Sequence, residues 1–145
     1  MEFQQVQAFM DHPMFESYEI RPANFCHTER QQWIFATRHG LEVSVTRGST
    51  TFGGSQGLFE LAILEDGRCC YTTPITSDVL GYLSESEVLE TLDRAAMLIQ
   101  RDGEWVYAES EEEADNDAFI THLADVAVTA LLIDLFGGNE EEVDA

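Results

Sequence analysis

Between residues 33 and 47 the chain alternates. Leu41, Val43 and Val45 take every second place with Glu42, Ser44 and Thr46 between them, and a companion run, Trp33 to Arg38, precedes His39-Gly40. A period of two sends successive side chains to opposite sides of an extended strand, so these runs are expected to form a hairpin with one buried face. A second pair follows, Leu58 to Leu64 and Arg68 to Thr72, joined through Asp66-Gly67. The glycine there supplies the positive φ that a tight hairpin turn requires.

The period changes in the flanking segments. Phe3, Val6, Phe9 and Met10 recur at helical spacing, and Asp11-His12-Pro13 stops that short helix before residue 13. Ser84 and Glu87 have the spacing of a capping box, after which Val88, Leu92, Ala95, Ala96 and Ile99 trace one face, predicting a helix over residues 85–100. Gly103 to Tyr107 reads as a short edge strand. Glu109 to Asp117 is too charged to bury and leads into a final apolar helix, capped near Asn116 and ended by Gly137-Gly138.

The expected fold is therefore α+β, with a central antiparallel sheet of about four strands in two hairpins. Two longer helices pack on one face, and a short helix stands at the N-terminus. Residues 1–138 are expected to form a single acidic domain and 139–145 a flexible acidic tail. Gly48 to Gly57, with four glycines around Phe52, is expected to be a mobile loop.

Charge narrows the function. The chain has 7 basic and 28 acidic residues, a net charge of −21, and all seven bases are arginines. Without lysine there is no Schiff-base chemistry, no pyridoxal phosphate attachment and no lysine-bearing phosphate loop, and a permanently protonated arginine cannot serve as the nucleophile instead. After Arg101 no basic residue follows, while Asp102 to Asp144 holds fourteen acids. Such a surface repels nucleic acid and anionic membranes and attracts basic proteins. The expected partner is a basic protein, with no direct contact to nucleic acid or membrane.

Cys26, Cys69 and Cys70 make an odd count with two adjacent, which suits reduced thiols in a cytoplasm, one of the adjacent pair facing the core and the other the surface. Met1 to Met10 lacks the pattern of a signal peptide. The long apolar stretch Ala118 to Phe136 is interrupted by His122, Asp125 and Asp134, so no membrane span is expected.

Candidate chemical motifs give way to plainer readings. Gly53-Gly54-Ser55-Gln56-Gly57 lacks the ending of a phosphate loop and joins two strands instead of opening a helix. Cys26, His27, His39, Cys69 and Cys70 have no spacing that holds two zinc ligands together, and no histidine is placed locally to activate a thiol. His122 and Asp125, one helical turn apart, suit a structural hydrogen bond. The run Glu109 to Asp117 lacks the ligand order of an EF-hand loop. No catalytic residue, cofactor or metal site is expected, and the chain is read as a non-enzyme.

The run Gly48-Ser-Thr-Thr-Phe-Gly-Gly-Ser-Gln-Gly-Leu-Phe-Glu-Leu-Ala-Ile-Leu, continuing to Tyr71-Thr-Thr-Pro-Ile-Thr-Ser-Asp-Val-Leu-Gly-Tyr-Leu, resembles a pattern in small uncharacterised acidic proteins of tailed bacteriophages. The resemblance covers residues 41–99. It brings no catalytic residues, and it implies expression in the cytoplasm of a host bacterial cell. Small acidic phage proteins often act by occupying the basic nucleic-acid channel of a host enzyme.

These readings converge on an anti-defence or host-takeover inhibitor that mimics nucleic acid. The expected partner-binding residues are Glu109, Glu111, Glu112, Glu113, Asp115 and Asp117, with Phe52 as a second contact and the tail adding electrostatic steering. The alternative is a small dimeric phage structural or assembly factor, its last helix forming the homodimer interface and its acids serving solubility.

Overall fold

The computed structural model describes residues 4–22 and 29–115. The chain separates into two units, Met1–Ala108 and Glu109–Ala145, and each is described by itself.

In the first unit a single helical turn, α1 (Gln7–Met10), ends at Asp11 as expected and delivers the fully buried Phe9. Strand β1 (Phe15–Pro22) pairs antiparallel with β2 (Glu29–Ala36), which pairs with β3 (Leu41–Gly48). Beyond β3 come β4 (Phe59–Glu65), the two-residue β5 (Arg68–Cys69) and β6 (Leu80–Leu83). The sheet runs β1-β2-β3-β4-β5, with β6 also pairing with β4.

Register explains why one face is buried. Phe35 stands opposite Val43 and Val43 opposite Ile63, while Trp33, Val45 and Leu61 form the next row. All six side chains are essentially inaccessible to solvent. Phe9 plugs the end of these rows, its ring edge-on to Trp33 at 5.2 Å and to Phe59 at 5.0 Å between centroids. Edge-to-face contacts of this kind add to what area burial alone contributes.

Helix α2 (Glu85–Ala95) covers the same face with Val88, Leu92 and Ala95. Its start is the expected capping box: the Glu87 backbone N–H donates to Ser84 Oγ at 3.2 Å, and the Ser84 N–H donates to the Glu87 carboxylate at 2.8 Å. The chain then turns into a separate two-stranded sheet, β7 (Leu98–Arg101) against β8 (Glu104–Tyr107). Asp102 and Gly103 join them with φ of 55° and 82°, the left-handed pair of a type I′ turn.

The architecture differs from the expected one. The main sheet has six strands instead of four, a second small sheet follows, and among the described residues only α2 reaches seven residues, so two longer helices do not pack on one face. β1 escaped detection because only Phe15 and Tyr18 of its residues are partly sheltered, leaving no alternation to read. The helix expected over 85–100 stops at Ala95, and Ile99 belongs to a strand. The short strand near Gly103–Tyr107 exists, but it pairs with β7 away from the main sheet. The apolar stretch 118–136 lies outside the described residues. No helix among the described residues is long and apolar enough to cross a membrane.

Candidate functional site

The acidic segment belongs to the second unit, and its first turn is fixed by side chains. The Glu113 backbone N–H donates to Ser110 Oγ at 3.0 Å, and the Glu109 N–H donates to the Glu113 carboxylate. Ser110 thus caps a helical turn whose residues begin at Glu111, and the cap expected near Asn116 lies outside the described residues. The sequence signal was present: Ser110 and Glu113 repeat the Ser84 and Glu87 spacing. Glu109, Glu111, Glu112 and Asp115 are exposed, while Glu113 is half-buried and turned back onto the cap. Acids in a first helical turn also complement the positive end of the helix dipole. Asp117 lies outside the described residues.

Phe52 belongs to the first unit. The segment Gly48–Gly57, expected to be mobile, is a hydrogen-bonded platform. Thr51 Oγ1 lies 2.9 Å from both the N–H and the carbonyl oxygen of Gly48, and a short 3-10 turn, Gly54–Gln56, follows. The Phe52 N–H donates to the Glu60 carboxylate at 2.8 Å. Its carbonyl accepts from the Tyr82 N–H at 3.1 Å. The ring that these bonds position is 56% exposed.

Tyr82, which sequence reasoning passed over, is its counterpart on β6. It is 57% exposed and holds φ at +58°, the left-handed region that a bulky aromatic residue rarely enters. The two segments approach so closely that each has a glycine beneath the other's aromatic residue. A Cβ on Gly81 would lie 2.6 Å from the Phe52 Cβ, and one on Gly53 would lie 2.8 Å from the Tyr82 Cα. Phe52-Gly53 and Gly81-Tyr82 are therefore reciprocal, and both aromatic side chains are more than half exposed, without an aromatic neighbour among the described residues.

Comparison with protein-family models, curated proteins and solved structures found no match to this chain.

Other polar contacts tie the elements of the first unit together. Arg47 lies over the rings of Phe59 and Trp33, its guanidinium carbon 4.8 and 5.6 Å from their centroids. Its Nε donates to Gln31 Oε1 at 2.9 Å and one terminal nitrogen to the Gln4 carbonyl at 2.8 Å. Burial lowers its pKa from the ordinary arginine value, opposed by the nearby Tyr18 and Glu85. The fully buried Gln31 completes the network by donating to the Gln4 carbonyl at 2.7 Å and to the Tyr18 hydroxyl at 3.0 Å. His12 Nε2 stands 3.1 Å from Asp93, but its Nδ1 accepts the Met14 N–H, so both ring nitrogens are engaged and the imidazole ties the N-terminal turn to α2. Cys69 is exposed and Cys70 buried, the opposite placement expected of neighbours. Among the described residues no group of three His, Cys, Asp or Glu side chains is placed to hold a metal ion.

Proposed function

We propose that this chain acts by binding the basic, phosphate-holding surface of a nucleic-acid-handling protein and blocking it. In the setting implied by the phage resemblance, that protein is a host or defence enzyme in the cytoplasm of an infected bacterium. The observation that carries the reading is the capped start of the acidic helix. It holds Glu111, Glu112 and Asp115 exposed on a defined backbone in a stretch that has no basic residue.

A mimic of nucleic acid must array its charges on a fixed surface. Helical residues four apart are separated by about 6 Å along the axis, comparable to two steps of about 3.4 Å along one DNA strand. The uneven distribution of charge supports the same reading, because self-repulsion among uncompensated acids costs stability that a merely soluble protein need not lose.

The test is capture of partners from bacterial lysate at low and high salt, using the native chain and a Glu111→Lys, Glu112→Lys variant. This pair leaves Ser110 and Glu113 in place, so the cap survives. Nucleases, polymerases or other nucleic-acid enzymes retained only by the native chain, and released as salt shortens the Debye length from about 8 Å towards about 3 Å, support the proposal. Retention of the same proteins by both chains at both salt concentrations overturns it.

A further inference from the structure

We propose that the Phe52–Tyr82 junction is a second binding site, which receives an arginine side chain of the basic partner on its two exposed aromatic rings. The inference rests on the reading that the partner is basic, and it adds a contact of different chemistry on the first unit.

Three observations carry it. The rings are exposed without aromatic neighbours among the described residues, although Phe52 is one of only a few large apolar side chains left in solvent. The junction is also expensive to build. It needs Tyr82 in a left-handed conformation, glycine at both 53 and 81, and a carboxylate, Glu60, to hold the Phe52 backbone. Backbone strain of this kind persists where the surrounding structure enforces it, and it concentrates at ligand clamps.

Charge selects the occupant. From Gly48 through Asp93 the sole basic residue is Arg68. The pairings of Phe59 with Leu83 and of Glu65 with Arg68 put it at the far end of β4, about 20 Å away at the usual rise of a strand. Arg47, the nearest cation on β3, is packed over the core rings of Trp33 and Phe59. Glu60 lies against Phe52, and Glu85 and Glu87 follow Tyr82 at the start of α2. Arg30 on β2 stands opposite Gly48 at the start of the platform, its stem packed there and its Nε buried. Electron-rich ring faces beside carboxylates suit a guanidinium, whose flat and weakly hydrated surface stacks on aromatics better than an ammonium does. Arg47 shows the same contact inside this fold.

The experiment titrates the full chain with an Arg-Gly repeat peptide, and with the same peptide carrying neutral citrulline in place of every arginine. Nuclear magnetic resonance follows the ring protons of Phe52 and Tyr82 while affinity is measured in parallel. The arginine peptide is expected to shift both rings and the citrulline peptide to leave them in place. A Phe52→Leu, Tyr82→Leu variant, its fold checked by its backbone amide spectrum, is expected to bind the arginine peptide about five- to tenfold more weakly. Unmoved rings, or equal shifts with both peptides, overturn the proposal. The Glu111→Lys, Glu112→Lys variant separates the two sites. If it loses salt-sensitive affinity while the Phe52 and Tyr82 signals still move, both sites stand. If its affinity is unchanged while the rings still move, the acidic helix fails and the aromatic site stands.

Discussion

The backbone N–H of Tyr82 donates to the carbonyl oxygen of Phe52 across 3.1 Å, and this bond joins the Gly48–Gly57 connection to β6. Because Gly53 and Gly81 lie under the opposing backbone and side chain, neither segment can shift without the other. The left-handed backbone of Tyr82 sits at this close approach, and its side chain remains more than half exposed.

Substituting Tyr82 by glycine tests whether the strain is retained for the ring. The left-handed region costs a non-glycine residue on the order of 1–3 kcal/mol, and an exposed ring recovers little of that by burial. Tyr82→Gly is expected to raise unfolding stability by about 0.5–1 kcal/mol in urea denaturation while weakening arginine-peptide binding. A variant less stable than the native chain would show that the ring earns its place by packing alone.

Arg47 is expected to matter for stability because it closes a buried polar network. Arg47→Met keeps much of the stem over Phe59 but leaves Gln31 Oε1 buried without its 2.9 Å donor. An orphaned buried acceptor costs about 1–3 kcal/mol, so chemical denaturation should place the loss in that range. Gln31→Leu combined with Arg47→Met removes both partners and should recover part of the loss. A double variant worse than the sum of the singles refutes the network account.

Ser84→Ala removes the acceptor for the Glu87 N–H and should cost about 1 kcal/mol, whereas Ser84→Gly should cost only a few tenths. Thermal unfolding followed by far-ultraviolet circular dichroism distinguishes the two. Equal losses for both substitutions would place the effect in backbone freedom instead of the cap.

A hydrogen bond that the exposed Tyr71 phenol donates to the Cys69 sulfur, together with the Cys69 charge, raises the phenol's pKa above its ordinary value, with smaller contributions from desolvation and Asp78. A group whose pKa is raised by folding favours the folded state below its unfolded pKa, and that contribution disappears as pH rises through the folded value. An ultraviolet titration should therefore show one phenol ionising later than free tyrosine, and Cys69→Ala should move it back down. An unchanged titration in Cys69→Ala contradicts the assigned cause.

Local patterns were legible where one principle dominated. The alternation in Leu41–Thr46, the turn at Asp66-Gly67 and the Ser84 capping box all emerged as read, because period, turn chemistry and cap each had no competitor. The errors fell where two signals overlapped. Ile99 continues the helical stripe of Val88, Leu92 and Ala95, yet it also precedes Asp102-Gly103, the same turn dipeptide already recognised at Asp66-Gly67. The turn won, and the helix ended four residues earlier at Ala95. β1 lacks an alternating pattern because it is an edge that shows most of its side chains to water. Of the candidate site, the acidic run was plain from composition, whereas Tyr82 was not, because its importance comes from a backbone angle and a partner thirty residues away.

The two rims of the main sheet bear on how this molecule can associate. On one side β1 is kinked by a bulge between Phe15 and Ser17 and ends in Pro22, which has no N–H to offer. On the other, the rim is divided between a two-residue β5 and a four-residue β6. The β5 and β6 rim offers no long ladder of open backbone groups, and on β1 the regular stretch is bounded by the bulge and by Pro22, which limits the template a foreign strand could extend. For the binding role proposed above, recognition would then fall mainly to side chains, whose chemistry discriminates among partners in a way that main-chain pairing cannot.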